Sequence, residues 1–319
     1  MEKMTKDKRQ ILILLFALVV SILLFLFYEL GSSWMFTLRL RSVKIVAMLI
    51  VSCCIAYSTV SFQTLTNNRI LTPSIMGFES VYLLFQTVLV FIYGDMTYSV
   101  LNHVDNFILS IFGMIAFAML LYVLIYKRGK DNLYLLLLIG LVLGILFNNL
   151  SGFMQLLIDP NDFFIVQGKM FASFNKINQE LLGYASVMMF LVLLIGFKLT
   201  KYLDVLALGR DQSINLGLNY NRMVQLFLII IAILSAISTA LVGPITFLGL
   251  LVSNLTYETF RTHKHRVVII ACSLISAVTL IGGQFVMERF FNLLIPISTV
   301  VNFGGGIYFL YLLLRAKRL

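Results

Sequence analysis

The chain has 319 residues, 60% of them hydrophobic and only 12% charged, with a mean hydropathy of +0.98. A soluble domain carries about a quarter charged residues, and each bilayer crossing takes roughly 20 apolar ones. These figures exclude a soluble enzyme, a secreted disulfide scaffold and a disordered chain, and they leave no room for a large soluble domain. The net charge of +10 does not point to nucleic acid, because the positive residues lie in short clusters between apolar runs. Clusters of that kind orient membrane helices. Cys53, Cys54 and Cys272 sit inside apolar runs, without disulfide or metal spacing.

A charged tail at 1–10 precedes an apolar run at 11–30 that is too long for a signal peptide and lacks a cleavage site, so it reads as an uncleaved first helix. Further runs fall at 43–62, 74–93, 107–126, 133–150, 181–199, 223–242, 245–258, 267–286 and 296–314. The pattern predicts an all-α polytopic membrane protein of about ten transmembrane helices, forming one domain over 1–319. The eighth run is short, which blurs the boundary between the seventh and eighth helices. With the N-terminus inside, only Arg39, Arg41, Lys44, Lys169, Lys176 and Arg289 of the 24 Lys and Arg residues fall outside. Both termini are therefore expected to be cytoplasmic. The stretch 151–180, rich in aromatics and amides, suggests a short interfacial helix on the outer side.

Familiar chemistry is missing. There is no G-x-x-x-x-G-K-[ST] loop, no H-E-x-x-H and no G-x-S-x-G elbow. The three histidines, His103, His263 and His265, fall in predicted loops. The acids near the apolar runs, Glu29, Glu79, Glu180, Glu258 and Glu288, lie mostly at helix ends, so nothing argues for a buried proton path. Directed transport would draw its energy from another chain.

Four constellations remain. In 40–80, Arg41 and Lys44 share one helix face at the outer mouth, where they either snorkel to the interface or meet a partner. Gln63 to Gly77 is a polar break, since Pro73 disfavours helix before it. In 202–222, the pieces Leu203–Leu208 and Gln212–Leu218, ended by Gly209 and Gly217, form either a docking element or a helix lying on the headgroups. In 241–266, Gly243 and Pro244 break a helix and Gly249 permits close packing. In 284–318, Arg289 sits at the outer mouth, Pro296 opens the last helix, and Gly304, Gly305 and Gly306 allow close approach.

Taken in this order and spacing, the four blocks resemble the permease subunits of iron–siderophore ABC importers, the FecCD family, which includes the vitamin B12 importer permease. Arg41, Lys44, Gln63, Asn67, Pro73 and Gly77 match its first block. Leu208-Gly209 and Leu216-Gly217 match its cytoplasmic element, with Ser213 where Ala is usual. Gly243 to Leu250 matches its GPIGFVGL block. The chain departs from the pattern at Ser253-Asn254, where Pro-His is usual, at Asn68 to Pro73, where Asn-Pro-Leu-Ala is usual, and at Leu294 to Ser298. The wording around Asn67 to Ser80 is similar to the catecholate-siderophore branch.

The resemblance implies a type II importer permease in the bacterial cell membrane, importing a ferric siderophore. Its expected partners are a second FecCD-type permease, in a hetero- or homodimer, two ATP-binding subunits and an extracytoplasmic siderophore-binding protein. Arg41, Lys44 and Arg289 would meet acids of the binding protein. Ser52, Tyr57, Ser58, Ser61, Phe62, Gln63, Thr66 and Asn67 would be candidates to line the translocation path, although every face of that helix is apolar or weakly polar, and Glu79 would either orient the break or touch the path. Asp204, Leu208, Gly209, Ser213, Leu216 and Gly217 would couple to the ATPase, while the 259–266 loop, with Arg261, His263, Lys264 and His265, would face the same side and reads as a solvated basic loop. No cofactor is expected on this chain, with ATP and Mg belonging to the partner ATPase, and no nucleic acid partner. The alternatives are a same-fold importer for cobalamin or haem and an ion-coupled secondary carrier.

Overall fold

The structure, a computed structural model, describes residues 2–29, 33–97, 102–126, 133–175, 177–291 and 296–316. Lys176, the 127–130 cluster and Leu294-Ile295 of the sequence reading lie outside them. The described residues form α-helices and short 3₁₀ turns, with no strand among them. In chain order the helices are α1 (Glu2–Phe27), α2 (Trp34–Thr66), α3 (Phe78–Tyr93), α4 (His103–Tyr126), α5 (Leu133–Gln155), α6 (Pro160–Met170), α7 (Gln179–Leu206), α8 (Arg210–Asn215), α9 (Tyr220–Val242), α10 (Leu248–Thr259), α11 (His265–Arg289) and α12 (Ile297–Ala316). Seven stretches are long and apolar enough to cross a membrane, and α3 and α12 provide shorter apolar helices. At 12 residues, α10 spans about 18 Å, well short of a hydrocarbon core of roughly 30 Å.

The bundle is organised around α2. It is 33 residues long, and 78% of its most apolar window is buried beneath α7, α9, α10 and α11. A helix that is apolar all round belongs in the middle of a bundle. By contrast, 6% of the α1 window is buried, and α1 rests mainly on α11. Small residues bring the other helices in. A Cβ on Gly196 would meet the Tyr57 ring at 2.8 Å, and the Tyr57 hydroxyl donates to the Gly196 carbonyl at 2.8 Å.

Local chemistry sets the boundaries. α2 stops at Asn67, which adopts a left-handed conformation (φ 48°). A 3₁₀ turn at Pro73–Met76 and left-handed Gly77 (φ 88°) then start α3. A Cβ on Gly77 would lie 2.7 Å from Gly144 Cα, so the break is seated directly on the α5 backbone. α9 ends at Gly243 (φ 102°), ahead of Pro244, and α12 starts just after Pro296. The interfacial helix expected in 151–180 is α6, capped by the Asp159 carboxylate at Asn161 N–H. Of the three consecutive glycines in α12, only Gly305 is tightly packed, against Phe247; added Cβ atoms on Gly304 and Gly306 would touch nothing. Two histidines expected in loops instead open helices, His103 in α4 and His265 in α11.

Candidate transport site: outer mouth, helix breaks and coupling end

At the outer mouth the fold brings together Arg41, Lys44 and Arg289, which are far apart in sequence. Their roles differ. Arg41 is 7% exposed, and its Nη1 donates to the carbonyls of Phe25 (3.1 Å), Leu26 (2.8 Å) and Tyr28 (2.8 Å). Nη2 reaches Glu29 O at 3.4 Å. The last carbonyls of a helix have no intrahelical donor and carry partial negative charge, so Arg41 closes the end of α1. In this conformation its guanidinium is turned toward the carbonyls of α1.

Lys44 and Arg289 are the more available pair. Lys44 Nζ lies 2.6 Å from Glu288 Oε1 and 2.7 Å from Asn175 Oδ1. Gln284 Nε2 supports the same Glu288 oxygen at 2.8 Å. Arg289 donates to the Glu29 carboxylate at 3.1 Å and to Tyr28 O at 3.1 Å, and its guanidinium lies 5.6 Å from the Tyr28 ring centroid. Each cation therefore already has a carboxylate partner. Sequence reasoning listed Glu29 and Glu288 only as acids near helix ends and missed their role as counter-ions.

In the middle, the two breaks meet. Glu79 accepts from Ser74 Oγ (2.7 Å) on the first break and from Thr246 Oγ1 (2.6 Å) on the second. Around it is a small cavity of about 20 Å³, lined by Ser58, Thr59, Pro73, Ser238, Thr239 and Gly249 among others. That is room for about one water. Glu79 thus takes the orienting role, tying the 73–77 turn to the 243–247 loop. The proposed path residues Ser58, Phe62 and Gln63 are 2%, 1% and 2% exposed, and Ser52, Tyr57 and Ser61 are fully covered. They are enclosed by neighbouring helices because α2 is the central helix. Only Asn67, at the inner end, lies on the surface.

At the inner end, α7 runs into Gly209 (φ 94°), α8 and Gly217 (φ 83°). The first amphipathic piece of the sequence reading is mostly the last turn of α7, and the second contains most of α8. Leu208, Ile214 and Leu216 are 52%, 47% and 63% exposed, giving an apolar tip. Asp204, on the last turn of α7, accepts from His265 Nδ1 at 2.6 Å and from His265 N–H at 2.9 Å. His265 is therefore a buried junction and no part of a solvated loop.

The FecCD transport family model matches residues 11–315. The chain belongs to the FecCD transport family. It is 48% identical to the petrobactin import system permease protein YclO of Bacillus subtilis, over 98% of this chain and 99% of that one. It is 35% identical to the petrobactin import system permease protein FatC of Bacillus anthracis, covering 91% and 82%. Its fold is similar to that of a metal-chelate type ABC transporter solved in an inward-facing conformation, with a TM-score of 0.85 and 22% identity over 96% of this chain and 99% of that one.

Three departures from the FecCD pattern make sense in space. Gln63 Nε2 donates to Arg69 O (2.6 Å) and Ser253 Oγ (2.9 Å), and Asn254 Nδ2 donates to the same Arg69 carbonyl (3.1 Å). The unusual pair Ser253-Asn254 thus contacts the unusual run after Asn67. The Arg69 guanidinium also lies 4.6 Å from the Tyr257 ring centroid, which fastens the end of α2 to α10. Ser213, where Ala is usual, donates to Val205 O (3.0 Å) and Gly209 O (2.6 Å). Its hydroxyl holds α8 against the last turn of α7.

Proposed function

We propose that this chain is the membrane-spanning permease subunit of an ATP-binding-cassette importer that carries a ferric siderophore of the petrobactin type into the cytoplasm. It is a multi-pass protein of the bacterial cell membrane and a transport subunit, with ATP hydrolysis performed by a partner. Petrobactin contains catecholate groups, in line with the branch suggested by the sequence. The observation that carries the ligand is the end-to-end match to a petrobactin permease at 48% identity. A second FecCD-type permease, two ATP-binding subunits and an outer binding protein complete the importer.

The three-layer geometry fits this task. Acids of the binding protein would exchange with Glu288 and Glu29 for Lys44 and Arg289, trading one ion pair for another. Such pairs are each worth about 0.2–1 kcal/mol and mainly provide steering and register. The apolar tip at Leu208, Ile214 and Leu216 would seat in a groove on the ATPase. Closure of the ATPase would move that tip and switch which side of the permease is open. A secondary carrier is not favoured, since Glu79, the buried acid at a break, is held by hydroxyl donors from both break segments.

The test is uptake of radio-iron-labelled petrobactin in cells deleted for this chain. They are complemented with wild type, with Lys44→Glu plus Arg289→Glu, or with Gly217→Trp. Rescue by wild type alone, at equal membrane levels, is the expected result. Normal uptake in the deletion strain removes the petrobactin assignment. Full uptake by Gly217→Trp removes the coupling role of that loop.

A further inference from the structure

The inner end contains a contiguous hydrogen-bonded chain that joins four helices. Ser213 ties α8 to the Val205 carbonyl on the last turn of α7, one residue after Asp204. Asp204 is 42% exposed at the cytoplasmic boundary, while the His265 side chain it holds is 11% exposed. Lys264, at the N-cap of α11, supplies no side-chain cap. The cap comes instead from Asp204 of another helix, which binds both the backbone N–H and Nδ1 of His265. On the other side of the ring, His265 Nε2 lies 2.8 Å from Thr64 Oγ1. The Thr64 hydroxyl donates to Val60 O at 2.8 Å, and Thr64 is one residue from Gln63, which holds the segment that follows α2.

The carboxylate only accepts hydrogen bonds, so Nδ1 must carry hydrogen. Nε2 then exchanges a single hydrogen bond with the Thr64 hydroxyl. α7 also meets α2 farther along the bundle, where the Tyr57 hydroxyl donates to the Gly196 carbonyl; the route through Asp204, His265 and Thr64 is the one described at the inner end itself. At the far end of the same two helices, Lys44 of α2 pairs with Glu288 of α11. α2 and α11 are thus pinned to each other at both ends, about 35 Å apart along α11.

We infer that His265 is the positioning residue that passes displacement of the α8 element to α2, so that the coupling end moves the central helix through Asp204, His265 and Thr64. α8 and the end of α7 are fastened by Ser213, and α2 lies beyond the imidazole; the ring is the joint between them at the inner end. The inference rests on the importer reading above.

Two substitutions split the joint. His265→Asn keeps a donor at the δ position for Asp204 but cannot reach Thr64. His265→Gln reaches Thr64 at the ε position but gives up Nδ1. In membranes carrying the assembled importer and its binding protein, both are expected to lower petrobactin imported per ATP hydrolysed by about three- to tenfold, since each variant loses one of the two side-chain hydrogen bonds of the ring. Membrane levels should stay unchanged, and Thr64→Val combined with either should add little. Wild-type coupling in His265→Asn would mean that only the helix cap matters, and would overturn the inference. So would the disappearance of both variants from the membrane, which would give His265 a folding role alone. A second readout needs no siderophore: a reporter thiol from Asn68→Cys, labelled with and without vanadate-trapped ATPase. Its labelling rate should respond to trapping in the otherwise wild-type chain and not in the two histidine variants; an equal response in all three overturns the inference. Wild-type membranes that show this response but import no petrobactin fault the ligand and leave the joint standing.

Discussion

The two ends of α2 are built differently. At the outer end, cations meet carboxylates or carbonyls in pairs, Lys44 with Glu288, Arg289 with Glu29, and Arg41 with the end of α1. At the inner end, amides, hydroxyls, the Asp204 carboxylate and the His265 imidazole form a chain through which each helix holds the next. Charge pairs near solvent can be exchanged for other charge pairs with little net change in energy, whereas a directional chain of hydrogen bonds fails if one member is removed. The outer end therefore suits a partner that comes and goes. The inner end suits the transfer of displacement.

The largest effect should come from the one outer group that is not exchangeable. Arg41→Ala exposes the final carbonyls of α1 to a dry environment and is expected to cost about 3 kcal/mol, read as a lower midpoint of unfolding in detergent. Arg41→Lys should recover only part, since a single ammonium cannot reproduce the guanidinium fork. Full recovery would place Arg41 with the exchangeable pairs. Next come Lys44→Glu and Glu288→Lys. Each alone should weaken stability by about 1–3 kcal/mol through like charges brought together in a half-buried site. The double swap should regain most of the stability while docking, read as binding-protein affinity, stays impaired. Equal recovery of both would mean that the pair does not face the partner.

The central break probes the region between the two ends. Gly144→Ala places a methyl 2.9 Å from Gly77 Cα and should cost about 1–3 kcal/mol by overpacking, measurable in the same unfolding assay. The smallest effect is expected at the coupling tip. Gly217→Ala should lower stability by about 1 kcal/mol, because alanine resists a φ of 83°. Its effect on uptake should exceed what that stability loss explains. A purely proportional loss would weaken the assignment of 202–222 to coupling.

Much of this was legible before the fold was known, for a local reason. Pro73, Gly77, Gly209, Gly217 and Gly243 act on their own backbone, so sequence alone places the breaks. The apolar runs show the membrane helices in the same way. Even the central place of α2 had a signal, since a helix apolar on every face has no lipid side to prefer, but that feature was read as ambiguity about the path. What could not be read were contacts between distant residues. Asp204 is 61 positions from His265 and Thr64 is 201; no period or motif links such pairs. Arg41 and Lys44, three apart, are alike in charge and register, yet one serves the end of α1 and the other the end of α11. Only the arrangement of neighbouring helices separates them.

The position of Arg41 also bears on how the protein is made. α1 touches the rest of the bundle along one narrow stripe, Leu14, Leu18, Ile22 and Phe25, and the donor that completes its last turn is carried on the very next helix, 16 residues beyond Phe25. A ribosome feeding the chain into the membrane would deliver the guanidinium directly after the carbonyls that need it. The first hairpin could then close on its own, and wait, finished, for α11 to be synthesised more than two hundred residues later.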